Sequence, residues 1–177
     1  MEAERRSAAL ELRAAGRKLE GHAAIFGSEA RIGSFTETVA AGAFTATLAD
    51  GHDILALVDH DPGRLLARTR SGTLRLAEDS RGLAFDLDVP DTQLGRDLLE
   101  LAKRGDLGGM SFAFKVRPDG ERWTGRHREL RSLDLGEISI VQAWPAYPDT
   151  TIATRNLPNG VRGRSLASRI AMFRWRA

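Results

Sequence analysis

The stretch LGGMSFAF, Leu107 to Phe114, combines two glycines with an apolar run that begins around Ser111. Residues 110–116 are rich in apolar and aromatic types, which predicts a β-strand. Ser111 would lie at the start of that strand, just after a glycine turn. A serine hydroxyl is a weak nucleophile at neutral pH. A catalytic Ser111 therefore requires a base elsewhere in the chain and a third polar group that holds the base in place.

Two other motifs offer a base and an acid. His60 lies just past a brief buried strand predicted for residues 54–58, and Glu137 lies in LDLGEISIV, residues 133–141. Both are next to short apolar runs typical of strands, so one sheet can hold Ser111, His60 and Glu137. A neutral imidazole can take the serine proton and return it to a leaving amine, while a carboxylate fixes the imidazole tautomer.

Each candidate also has an ordinary structural interpretation. The chain has ten serines and four histidines, so a trio of Ser, His and acid is not specific by itself. Ser111 can be a core serine in a strand, His60 a surface turn histidine, and Glu137 a solvated strand residue. Asp134, in the same motif as Glu137, is the rival for the third position. Gly108 and Gly109 can form an ordinary turn, or they can allow a substrate to approach the backbone closely.

A metal site is not expected at His60. The nearest histidine that could share a metal is His52, together with Asp53. Eight residues of extended chain would separate His52 from His60 by about 26 Å, which is too far for shared ligation unless the chain folds back. We expect no cofactor of any kind.

The predicted elements favour a mainly β protein with flanking helices. Three short strands joined by Ser and Gly turns are predicted between residues 65 and 89 as a meander. The most regular helix is predicted over residues 92–104, with Thr92 as a cap and Gly105 as a stop. Because short turns favour antiparallel pairing, we expect a closed or strongly curved sheet with helices packed outside it.

The order of elements argues against an α/β-hydrolase. GMSFA is close to the GxSxG motif, but that motif needs a strand before the serine and a helix after it. Here the predicted helix precedes Ser111 and the strand follows it.

Composition indicates a soluble globular protein. The chain has 177 residues, of which 42% are hydrophobic, and it contains no cysteine. It shows no apolar run near the roughly 20 residues of a membrane span, so we expect an intracellular protein without membrane contact. The net charge is +2, but the residues from Arg155 onward include six arginines and no acid. We therefore expect one domain over residues 1–155 and a basic, flexible tail over residues 156–177.

Several separated motifs occur in a recognisable order. They are GAFTATL (42–48), LVDHD (57–61), GLAFDLDVPDT (82–92), GDLGGMSFAF (105–114) and DLGEISIVQAWPAYPDT (134–150). In order and wording, the region from about residue 20 to residue 155 resembles the prohead serine proteases of tailed phages and phage-like gene transfer agents. These enzymes mature capsids of the HK97 type.

The resemblance has implications for the fold and the site. It implies a closed antiparallel β-barrel flanked by helices, as in the related herpesvirus assembly proteases, and it places the family's histidine and serine on His60 and Ser111. The herpesvirus enzymes have a second histidine at the third position, where this chain has Glu137. They also carry paired arginines shortly afterwards, whereas QAWPA (142–146) has none. The oxyanion donors are therefore unassigned, although Pro145 is excluded because it lacks an N–H group.

The resemblance also implies a function. It predicts a serine endopeptidase that cleaves the major capsid protein, or its scaffold region, inside an assembling prohead in the cytoplasm. Self-cleavage is also expected, and self-association is left open. The alternative is a noncatalytic capsid-assembly or nucleic-acid-binding protein that acts through its basic tail. For the protease, nucleic acid is not an expected partner.

Overall fold

The computed structural model describes residues 4–8 and 13–143. The basic tail predicted for residues 156–177 lies outside them. In chain order the strands are β1 (Glu4–Ala8), β2 (Arg13–Ala15), β3 (Lys18–Ile25), β4 (Ala30–Ile32), β5 (Phe35–Val39), β6 (Leu55–Val58), β7 (Asp61–Arg68), β8 (Leu74–Glu78), β9 (Gly82–Asp88), β10 (Gly109–Val116), β11 (Glu121–Thr124), β12 (His127–Leu130) and β13 (Leu133–Val141). The α-helices are α1 (Thr45–Ala49) and α2 (Gln93–Arg104), and a short 3-10 helix covers Thr69–Ser71. No helix in the described ranges is long and apolar enough to cross a membrane.

The helix predicted before Ser111 is confirmed as α2. The Thr92 side chain accepts a hydrogen bond from the Gly95 backbone N–H at 3.2 Å, which satisfies one of the free amides of the first turn. Gly105 ends the helix in a left-handed conformation, with a φ of 72°, where a residue without a Cβ is favoured. The chain then enters β10, so Ser111 follows a helix and lies inside a strand.

The expected closed antiparallel β-barrel is wrong. Within the described residues the strands form three open sheets, in the orders β1-β10-β13-β6-β7, β11-β12-β5-β4 and β2-β3-β9-β8. Two of these sheets contain a parallel pair, β6 with β13 and β5 with β12. A parallel pair needs a long crossover connection, so it cannot be inferred from short turns between successive strands. The predicted predominance of strands over helices is found.

The predicted meander is divided between two sheets. Its first strand, β7, pairs with β6 in the five-stranded sheet, whereas β8 pairs with β9 in another sheet. The 3-10 helix forms the connection between β7 and β8. The strands themselves are therefore predicted correctly, but their shared sheet is not.

The five-stranded sheet has one apolar face in the core. Phe112 of β10 and Ile138 of β13 are paired in register and are 2% and 0% exposed. The Phe112 ring packs edge-on against the Phe44 ring, with centroids 5.6 Å apart. Because side chains alternate along a strand, the neighbouring residues Ser111 and Glu137 lie on the opposite face of the same two strands.

A buried ion network attaches β1 to the sheet that contains β5 and β12. Glu37 is 2% exposed and accepts hydrogen bonds from Arg6 Nε at 2.5 Å and from Arg128 Nη1 at 3.0 Å. Arg128 also donates to Glu4 and Glu121. The hydrogen bond from Arg128 holds the pKa of the Glu4 carboxyl below its usual value. The network therefore fixes the strand that lies next to β10.

We expect Glu37→Ala to lower the free energy of unfolding by about 3 kcal/mol, because it removes the central anion from a cluster of partly buried cations. Glu129→Ala, on β12, is a matched control. Glu129 pairs with Arg131 at the surface, and an exposed pair contributes less than about 1 kcal/mol. Denaturant unfolding of the two variants provides the measurement. Equal losses in both would show that the buried network does not stabilise the fold.

Candidate active site

Ser111 lies on β10, an interior strand of the sheet that carries the other candidates. It pairs in register with Ser139 of β13 on one side and with Ser7 of β1 on the other. Ser111 is only 1% exposed, and its hydroxyl donates a hydrogen bond to the Arg6 carbonyl at 2.8 Å. In the structure the Ser111 hydroxyl is therefore bonded to the backbone of the neighbouring strand β1.

His60 occupies a tight turn between β6 and β7. Asp59 and His60 both have positive φ values, 52° and 59°. This left-handed region is uncommon for residues other than glycine and costs about 1–3 kcal/mol, so it persists only where the surroundings impose it. Asp59 N–H donates to the Ile140 carbonyl at 3.0 Å, and His60 N–H donates to Ser139 Oγ at 3.1 Å. Both bonds attach the turn to β13.

The Asp59 side chain strengthens the same attachment. Its Oδ1 accepts from the Gln142 backbone N–H at 2.9 Å, and its Oδ2 accepts from Arg64 Nη1 at 2.6 Å. Arg64 in turn donates to the Gln142 side-chain oxygen. Three segments, the turn, β7 and the end of β13, are thereby joined around His60.

The structure brings His60 and Glu137 into direct contact. His60 Nδ1 is hydrogen-bonded to Glu137 Oε1, and the two side chains are 17% and 12% exposed. When Nδ1 carries the proton it donates to the carboxylate, and Nε2 is then left with a lone pair that can accept a proton. This is the geometry in which an acid orients a histidine base.

Asp134, the rival acid, is engaged elsewhere. Its Oδ1 accepts from Arg117 Nε at 2.6 Å, and its side chain is 45% exposed. In register it lies opposite Lys115, whereas Glu137 lies opposite Ala113, two residues from Ser111. The geometry thus puts Glu137, rather than Asp134, against the histidine.

Ser111 and the His60–Glu137 pair lie on successive strands but are not hydrogen-bonded to each other in the described part of the chain. Ser111 is on β10, Glu137 is on the adjacent β13, and His60 lies in the turn that follows β6, the next strand across. Ser111 and Glu137 share one face because Ser111 opposes Ser139, two residues from Glu137. The three residues therefore lie on or beside neighbouring strands of one sheet, with the serine hydroxyl bonded to the backbone of β1.

Gly108 and Gly109 are both buried at the start of β10. Gly108 N–H donates to the Val141 carbonyl at 2.8 Å, and a Cβ at this position would lie 1.6 Å from the Ala143 carbonyl oxygen. Gly109 pairs with Val141 in register. Packing against the end of β13 is a sufficient reason for glycine at 108, so substrate contact by either glycine stays a prediction.

His52 and Asp53, weighed above as metal ligands, have protein partners. His52 Nε2 lies 3.2 Å from the Leu135 carbonyl oxygen, and Asp53 binds Arg68. This ion pair and a backbone hydrogen bond lower the pKa of the Asp53 carboxyl to about 2. In residues 4–8 and 13–143, no group of three or more His, Asp or Glu is arranged to hold a metal ion.

His60 and Glu137 are among the residues that line a groove of about 670 Å³. The side chains that line it include apolar, basic and acidic types, among them Leu55, Leu57, Ala113, Arg5, Lys115, Asp50 and Asp134. A groove that has both apolar and charged lining residues, next to a histidine–carboxylate pair, is suited to an extended peptide.

Ser139 is the site residue that the sequence did not assign. It is completely buried, and its hydroxyl contacts both His60 and Glu137. The alternation of Glu137 and Ser139 along the strand could have placed it on the site face, but nothing local indicates that the histidine turn folds onto it.

A serine, a histidine and a carboxylate on three neighbouring parts of one sheet form the set of groups found in serine hydrolases. The sequence matches the family model described as caudovirus prohead serine protease over residues 3–161, and the chain belongs to this family. The resemblance seen in the motifs is thereby confirmed for the family. No curated protein and no solved structure matched the chain.

Proposed function

We propose that this protein is a serine endopeptidase that cleaves the major capsid protein, or its scaffold region, during prohead maturation, and that it also cleaves itself. Membership of the prohead serine protease family supports the general activity. The single observation that carries the site assignment is the hydrogen bond between His60 Nδ1 and Glu137. This bond leaves His60 Nε2 to accept the proton of Ser111.

In the proposed reaction His60 Nε2 takes the proton of Ser111 as Oγ attacks the peptide carbonyl. His60 then gives this proton to the leaving amine, and the C–N bond breaks to leave an acyl-Ser111 intermediate. Water, activated by the same histidine, hydrolyses the ester and releases the carboxylate product. Glu137 remains ionised and stabilises the imidazolium that forms in each step.

This reaction requires a local rearrangement at Ser111. Its hydroxyl must release the Arg6 carbonyl and turn toward His60, and we propose that it does so by rotation about the Cα–Cβ bond. A peptide also needs access to a side chain that is 1% exposed. The groove beside His60 and Glu137 is the direction from which we propose that the substrate approaches.

The test is labelling with a fluorophosphonate, which reacts covalently with activated serines. The protein and its capsid protein are expressed together, assembling particles are labelled, and the modified peptide is identified by mass spectrometry. We expect the label on Ser111 in the wild type and no label in a Ser111→Ala variant. Label on another serine, or label that persists in Ser111→Ala, would show that the nucleophile is misassigned.

A further inference from the structure

Ser139 has a position that no other hydroxyl of the site shares. It lies in β13 between Ser111 of β10 and Leu57 of β6, and it is 0% exposed. A buried hydroxyl needs hydrogen-bond partners because it is shielded from water. In a strand the neighbouring strands use the backbone groups of the same residue, so the partners must come from other residues. The partners of Ser139 are the two residues proposed as base and acid.

The first partner is the backbone of the base. Ser139 Oγ accepts the His60 N–H at 3.1 Å. The left-handed backbone of His60 persists only if the surroundings determine it, and this bond is one of the constraints. The direction in which the imidazole leaves the turn depends on that backbone conformation.

The second partner is the acid. Ser139 Oγ lies 3.4 Å from Glu137 Oε2, while the other carboxylate oxygen, Oε1, binds His60 Nδ1. The Ser139 hydroxyl can accept from the His60 amide with a lone pair and donate its own proton to Glu137. The Ser139 hydroxyl thus constrains both the backbone conformation of His60 and the position of Glu137 Oε2.

We propose that Ser139 is a positioning residue for the His60–Glu137 pair, acting through both groups and making no bond to the substrate. The inference rests on the proposed function of that pair. Without the hydroxyl the His60 amide loses its acceptor and the Glu137 carboxylate can rotate. The imidazole then spends less time in the orientation that receives the Ser111 proton.

The test compares Ser139→Ala with a matched loss of another buried hydroxyl that contacts β13. Thr47 is 0% exposed, and its hydroxyl accepts the Leu135 N–H at 3.0 Å. Leu135 lies in β13, the strand that contains Ser139. Thr47→Val removes that hydroxyl while retaining the shape of the side chain. Thermal unfolding of both variants measures the structural cost, and steady-state cleavage of a capsid-derived peptide measures kcat and KM separately.

We expect Ser139→Ala to lower kcat by about a hundredfold with little change in KM, the size of effect seen when a reacting group is displaced by about 1 Å. Thr47→Val should lower thermal stability and leave kcat unchanged. Ser139→Thr, which retains the hydroxyl, should recover most of the lost kcat. In the NMR spectrum of Ser139→Ala, the His60 Nδ1–H signal should move upfield as its hydrogen bond to Glu137 weakens.

Different outcomes separate this inference from the proposed function. If wild-type cleavage does not depend on Ser111, the proposed function fails and the inference fails with it. If cleavage depends on Ser111 but Ser139→Ala keeps the wild-type kcat, the positioning role alone is overturned. Fluorophosphonate label on Ser139 also overturns it, because Ser139 would then be a nucleophile.

Discussion

Capsid protein produced together with the Ser111→Ala variant is expected to remain uncleaved, with kcat reduced by about a millionfold, as when the serine of a catalytic triad is lost. The substitution removes the only oxygen proposed to attack the peptide. The fold should survive, because alanine fits the same strand position and the lost hydrogen bond to Arg6 costs about 1–3 kcal/mol. Gel analysis of capsid protein cleavage is the measurement, and Ser71→Ala, at an exposed serine, is the control.

His60→Ala is expected to cause a loss of similar size. The double variant should be no worse than either single variant, because the nucleophile and its base act as one unit. Losses that multiply would indicate that Ser111 and His60 act independently. Cleavage at the normal rate by Ser111→Ala would remove the serine from the mechanism altogether.

Glu137→Gln is expected to lower kcat by about ten-thousandfold while the protein stays folded, as when a triad acid is replaced by its amide. An amide can present its NH₂ group to His60 Nδ1, which then has to accept, so the proton moves to Nε2 and blocks the base. Glutamine has nearly the same shape as glutamate, so packing beside Ser139 should change little. The measurement is peptide cleavage, with circular dichroism to confirm the fold.

Asp134→Asn is the matched comparison for that variant. It weakens a partly exposed ion pair with Arg117, which contributes less than about 1 kcal/mol, and leaves the His60–Glu137 bond in place. Its kcat should be close to that of the wild type. A large loss confined to Asp134→Asn would transfer the orienting role to Asp134.

Local signals in the sequence were sufficient for the elements that carry the candidate residues. The Thr92 cap and the Gly105 stop predicted α2, and the apolar runs predicted β6, β10 and β13. These features depend on residues close in sequence, such as a side chain that caps its own helix or an alternation along one strand. The sequence also put His60 just beyond a strand end.

Long-range pairing could not be inferred in the same way. The strands were expected to close into a barrel, but β6 pairs in parallel with β13 across about half the chain, and three open sheets result within the described residues. Such pairing depends on which crossover buries the most apolar surface, and no local motif encodes it. Short strands such as β4 and β11 likewise form because a partner strand is available.

In the candidate site, too, local sequence determined one part and long-range packing determined the other. The residue types, and the identity of His60 and Ser111 as candidates, came from motifs and their order along the chain. Three hydrogen bonds of the site each join residues more than 70 positions apart. They link Glu137 to His60, the His60 N–H to Ser139, and the Ser111 hydroxyl to the Arg6 carbonyl. Only the packing of distant strands can bring such groups within hydrogen-bonding distance, because a bond of about 3 Å depends on the positions of both backbones.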